Sequence, residues 1–215
     1  MPTIVLNPAH GGTDTGARGA TGAIEKDVVL QYARAVRAEL ERNNFRAVLT
    51  REDDSNPSYD DRAAMSNTYR DVVFVSIHVA STGAAGTARA YYYRFSSAPA
   101  GPSSGITTTT SLQTTPPAAP LVTWEQAQMA YVETSHRLAD ALQSELAKRL
   151  SGSPILASPA AARDLRSVGA PAVAVEVSSV SVTDPESLLA LAPQLAAAIV
   201  HGVQAFNSAS SADGN

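Results

Sequence analysis

The chain has 215 residues, of which 44% are hydrophobic, with a formal net charge of −4 and no cysteine. That length fits one domain, or one with decoration, and is ample for a buried core. The mildly acidic balance gives no basic footprint for nucleic acid or an anionic membrane, and without cysteine a bound metal must be held by His and carboxylate groups.

Residues 3–6 (TIVL) form a short buried-strand pattern that ends in Asn7-Pro8 and runs into a Gly-rich stretch. After Met1-Pro2 the strand pattern begins at once, so no signal peptide is read; either the protein is cytosolic, or this sequence starts after a removed leader or an upstream segment. From Glu25 the pattern is helical, with Val29, Ala33, Val36 and Leu40 on one face up to about Asn43-Asn44. FRAVLT (45–50) reads as the next strand, 58–70 as a second helix, and DVVFVSIH (71–78) as a strand covered on both faces. RAYYYRF (89–95) is aromatic and β-prone, which suits a strand nearer an edge.

Residues 96–120 are rich in Ser, Thr and Pro, with Ile106 and Leu112 as the sizeable apolar groups. Such a stretch cannot bury enough surface to offset its ordering entropy, so it is expected to be a mobile insertion inside the domain. A long helix follows at 124–150, striped by Val132, Ala139, Leu142, Leu146 and Leu150; AVAVEV (172–177) is a buried strand, and 185–206 a last helix. No apolar run reaches the roughly 18–20 residues that span a bilayer. These elements give a single domain over 1–207 and a disordered tail at 208–215. Strands alternating with helices predict an α/β fold on a largely parallel sheet.

His10 closes PTIVLNPAH, His78 closes VVFVSIH, and Glu176 interrupts AVAVEV. The crevice beyond the carboxyl ends of the strands is the usual ligand site of open α/β sheets, so two histidines delivered there can converge. A carboxylate inside an apolar strand costs several kcal/mol unless compensated. A nearby dication would do this for Glu176; so would an arginine, and the sequence leaves both open. Glu25, opening the first helix, is either a helix N-terminal acid or a third ligand. Two His and one Glu make a standard catalytic zinc shell, although the wide spacing is weak evidence by itself. His136 and His201 are read as surface or packing residues, with no carboxylate expected one helical turn away.

AHGGTDTGARGATGAIEKD (9–27), LTREDD (49–54), DRAAMSN (61–67), VFVSIH (73–78) and APAVAVEV (170–177) occur in this order. The set resembles the zinc-dependent N-acetylmuramoyl-L-alanine amidases of the cell-division type and spans most of the chain. The resemblance implies that His10, Glu25 and His78 bind zinc and that Glu176 is the catalytic carboxylate. It further implies a three-layer α/β/α sandwich around a mixed sheet, a peptidoglycan substrate cut between N-acetylmuramic acid and L-alanine, a periplasmic or secreted location, and room for a protein activator. Arg62 and Asn67 match the family blocks; five residues apart on a helix, they face different ways and are taken as structural.

Two places depart from the family. Asn7-Pro8-Ala9 stands where Asp-Pro-Gly is usual, so a carboxylate that could orient the first His is expected to be replaced by a neutral amide. Ala80 stands where an Asn is often found. Two rivals follow: a non-catalytic peptidoglycan-binding module on the same fold, and a zinc peptidase acting on cell-wall peptides.

Overall fold

The computed structural model describes residues 2–94, 123–181 and 183–212. The first strand, β1 (Thr3–Pro8), is buried along its whole length. A Gly-rich loop leads to α1 (Glu25–Arg42), which needs no side-chain cap at Ile24 but carries Glu25 and Asp27 in its first turn, where negative charge favours the helix dipole. After β2 (Arg46–Leu49) comes α2 (Tyr59–Asn67), opened by a reciprocal capping box between Ser58 and Asp61. Then follow β3 (Val72–Val79) and β4 (Ala88–Tyr93).

The predicted 124–150 helix is two elements: a 3-10 stretch over Trp124–Tyr131 and then α3 (Val132–Arg149). Within the first, Gln128 is buried and donates to the carbonyls of Val168 and Ala170. β5 (Ser158–Ala160) and the one-turn α4 (Arg163–Arg166) had no forecast, being too short to show a period. β6 (Ala172–Val177) matches its expected span. The last helix is broken into α5 (Pro185–Leu189) and α6 (Ala192–Ala212). Residues 208–212 are therefore helical and not part of a disordered tail; the Ser208 hydroxyl bonds back to the Gln204 carbonyl. The 96–120 insertion and residues 213–215 lie outside the described residues.

The strands lie in one sheet in the order β2-β1-β3-β6-β4-β5, with β4 and β5 running against the other four. One face, through Ile4, Leu6, Val75, Ile77, Val173 and Val175, meets α1, α3 and α6 in the larger core. The other face, through Val5, Val72, Phe74, Ala172 and Ala174, is covered by α2 and α4, with the 3-10 stretch packed against α4. This is the α/β fold expected, with helices on both sides of a mixed sheet. Apart from the half-buried His78 and Glu176, residues 72–79 and 172–177 are buried, and they read as nearly continuous apolar runs because each strand is covered on both faces.

The segment Pro185–Ala209 is long and apolar enough to cross a membrane, contrary to the sequence reading. Here it packs as a core helix: Leu195, Ile199 and Val203 are fully buried, and Gly202 brings α6 so close to α3 that a Cβ would lie 2.8 Å from the Leu142 Cα.

Candidate metal centre

β1 delivers His10 at the carboxyl edge of the sheet. Ala9 still bonds to the Ile77 carbonyl alongside β3, and then His10 adopts a left-handed φ of 60°. A non-glycine residue holds this conformation at a cost of about 1–3 kcal/mol and only where its surroundings fix it. Two buried guanidinium groups provide that fixation. Arg62 donates to the carbonyls of Pro8 (2.9 Å) and His10 (2.8 Å), and Arg51 to those of Pro8 (3.0 Å) and Ala9 (2.9 Å). Arg62 thus holds the main chain around His10, and Asn67 ties Ser167 and Gly169 to α2.

His10 Nε2 and His78 Nδ1 each lie 3.2 Å from Glu25 Oε1. The two rings meet edge to face with centroids 5.6 Å apart, and one donor atom from each of His10, Glu25 and His78 falls within 4.8 Å of the others. Glu25 is only 4% exposed. Its Oε2 accepts from the Ala17 amide (2.8 Å) and its Oε1 from the Val79 amide (3.0 Å). Gly16 leaves room for this carboxylate, since a Cβ there would sit 2.5 Å from Oε2.

The outer nitrogen of each ring is also occupied. His10 Nδ1 lies 2.9 Å from Asp14 Oδ2, and His78 Nε2 lies 3.0 Å from Asp164 Oδ2. Burial opposes the ionised form of Glu25, but its bonds to both rings and two amides outweigh it, holding the carboxyl well below its usual range. Burial likewise opposes charge on His78, and Asp164 and Glu25 overcome it, raising the imidazole to about 10. The bond with Glu25 raises His10 against its own burial, with Asp14 helping.

Glu176 pairs in register with His78 across β3 and β6 and with Arg89 across β6 and β4, so all three side chains leave the same face of the sheet. Its Oε1 accepts from the Tyr91 hydroxyl at 3.3 Å. Among the described residues no arginine or lysine forms an ion pair with Glu176; Arg89 is exposed and reaches the Ser158 hydroxyl instead. The carboxylate borders a hollow of about 410 Å³ lined also by Tyr59, His78, Tyr91 and Arg163. A second hollow, of about 290 Å³, is lined by His10, Asn56 and Arg62 and again by His78. The two share Tyr59, His78 and Asp164.

Some expectations need correcting. Asn7 does not replace a carboxylate at His10. Its Oδ1 accepts from Thr50 and Arg62 and its Nδ2 donates to Ser76, beneath the site, while the acid at His10 is Asp14. A side-chain amide serves there because donors and an acceptor must be met together. His136 does have a carboxylate one turn away, Asp140 at 3.4 Å, and its ring stacks on Tyr92; His201 faces Arg149 and Glu145. Neither ring joins the His10–His78 cluster. Ala80 contributes backbone bonds to Val177 and Val180. Asp14, Tyr91 and Asp164 went unnoticed in the sequence. Asp14 lies in the GGTDTG block and could have been suspected; Asp164 sits in RDLR, which reads as an ordinary polar turn.

Two imidazoles and a carboxylate suit a first-row dication such as zinc, and the convergence of their donors fits one. Among curated relatives, the Escherichia coli amidase AmiA is 43% identical over 75 residues, which are 35% of this chain and 26% of that protein. The sporulation-specific N-acetylmuramoyl-L-alanine amidase of Bacillus subtilis is 40% identical over 88 residues, 40% of this chain and 34% of that protein. The chain thus matches about a quarter to a third of the length of these relatives. Among solved structures, the Nostoc punctiforme amidase AmiC2 superimposes with a TM-score of 0.70 at 23% identity, covering 96% of this chain and 97% of that one. The Clostridioides difficile CwlD amidase, solved in complex with the GerS lipoprotein, gives 0.68 at 21% identity, covering 97% and 100%. Both likenesses are of fold. The sequence profile of Amidase_3, described as N-acetylmuramoyl-L-alanine amidase, matches residues 4–205, nearly the whole length. The chain belongs to the Amidase_3 family.

Proposed function

We propose that this chain is a zinc hydrolase that cuts the amide between the lactyl group of N-acetylmuramic acid and L-alanine in peptidoglycan. His10, Glu25 and His78 are its metal ligands and Glu176 its general base. The observation that carries the reading is the register of β3 and β6. It sets Glu176 beside His78 on one face of the sheet, and His78 is one of the three residues whose donor atoms gather within 4.8 Å. A buried carboxylate flanked by two imidazoles needs positive charge at its centre; shared protons supply some, and a dication supplies it better.

Bound there, zinc supplies Lewis acidity towards the scissile carbonyl and the attacking water. Glu176 takes the proton of that water and returns it to the departing amine of L-alanine. The Tyr91 hydroxyl holds Oε1 of Glu176, leaving the second oxygen for the proton. The two hollows that meet at His78 give room for the sugar and peptide parts of the substrate. Such a substrate lies outside the cytoplasmic membrane, so the protein works in the periplasm or as a secreted enzyme.

Elemental analysis should find about one zinc per chain, lost in His78→Ala. Glu176→Gln should keep the metal yet cut the release of stem peptides from purified sacculi by at least about 10²-fold. Products should be free N-terminal L-alanine and intact glycan strands. Cuts within the peptide would identify a peptidase instead, and binding without release would identify a non-catalytic peptidoglycan-binding module. If a protein activator is needed, as the CwlD–GerS pairing raises for this chain, the zinc-loaded protein alone will be silent and release will follow its addition.

A further inference from the structure

Asp164 is 7% exposed and stands on α4, whose next residue, Leu165, is fully buried. Its Oδ2 meets His78 Nε2 at 3.0 Å, on the side of the ring away from Glu25. Among the described residues no lysine or arginine pairs with it, so His78 is its ionic partner. The segment is clamped from both sides: Gln128 binds the carbonyls of Val168 and Ala170, and Asn67 binds Ser167 and Gly169. Its counterpart at the other ring, Asp14, has a side chain 48% exposed and lies in the Gly-rich loop, against 6% for Asp164. A carboxylate buried this deeply costs several kcal/mol unless something holds it, and here the His78 imidazole at 3.0 Å does so, with the Ser76 hydroxyl as a second, neutral partner.

We propose that Asp164 is the positioning residue of the metal centre. By accepting the Nε2–H of His78 it fixes the tautomer that presents Nδ1 to the cation and locks the ring against rotation. An outer partner of this kind raises the basicity of a histidine ligand, and its loss typically weakens metal affinity by about 10–100-fold. The inference rests on the metal reading above, but its failure would look different. A wild-type protein that takes up no stoichiometric metal defeats the reading of the site. A metal-binding protein indifferent to Asp164 defeats only this inference.

The test uses the full chain and zinc alone, with affinity measured by competition against a chromophoric chelator. Asp164→Asn should bind zinc about 10–100-fold more weakly than wild type, whereas Asp14→Asn, at the exposed partner, should lose less. The wild-type protein needs no substitution for the second measurement. Long-range ¹H–¹⁵N correlation of the zinc-loaded chain should show His78 protonated at Nε2, with its proton protected from exchange. Unchanged affinity in a folded Asp164→Asn, or a His78 ring protonated at Nδ1, overturns the proposal. If Asp164→Asn does not fold, the tautomer in the wild type decides alone.

Discussion

Arg62 and Arg51 hold main-chain carbonyls rather than carboxylates, and this explains how the loop after β1 keeps a histidine in a left-handed turn. Arg62 reaches Asn7, Pro8, His10, Asn56 and Pro57 from a single guanidinium. Only a fork of five donors can do this; an ammonium cannot. Arg62→Met should lower unfolding stability by about 3 kcal/mol, because several buried acceptors lose a charged donor, and Arg62→Lys should recover less than half of that in urea denaturation. The charged residues at strand ends were legible at this scale. His10, His78 and Glu176 stand out because each breaks an apolar run, and Glu25 because it opens a helix. Asp14 and Asp164 gave no such contrast. Both lie in polar stretches with no period, and only the fold brings them to the rings.

At the scale of single elements, the long amphipathic stripes read true and the short pieces did not. Val29, Ala33, Val36 and Leu40 are all fully buried on α1, as the i, i+4, i+7 spacing requires. The three-residue β5 and four-residue α4 are decided by tertiary contacts, so local sequence could not announce them. Caps were also missed, and one of them has a pH signature. Asp61 is held below its ordinary value by the Ser58 hydroxyl and amide. A depressed folded value means that this cap adds stability above the unfolded pKa of roughly 3.8 and loses it as pH falls through the lower folded value. Asp61→Asn should therefore melt below wild type at about pH 6, and the gap should close at about pH 2. Calorimetric melts across that range check it.

Across the whole molecule, the α/β class followed from alternating strands and helices. The antiparallel turn of β4 and β5 did not, because direction is set by how a chain returns to the sheet and not by composition. The site draws on three separated segments: the loop after β1, the start of α1 and the end of β3. A ligand that binds the folded chain and not the unfolded one stabilises it by RT ln(1 + [L]/Kd), about 4 kcal/mol at a thousandfold excess over Kd. Removing zinc with a chelator should thus lower the melting temperature by several degrees, and restoring it should reverse the change. Chelation that leaves the melt unmoved would mean that no dication bridges these segments.

The in-register pairing of His78 with Glu176 has one more consequence. Side chains alternate across a strand, so inserting one residue within β6 ahead of Glu176 would turn that acid into the packed layer of α3 and α6, while His78 stayed where it is. Loops around the two hollows can change in length and sequence, and with them the choice of substrate. The spacing between acid and histidine is insulated from such changes, being written in main-chain pairing and open to loss only by steps of a whole residue.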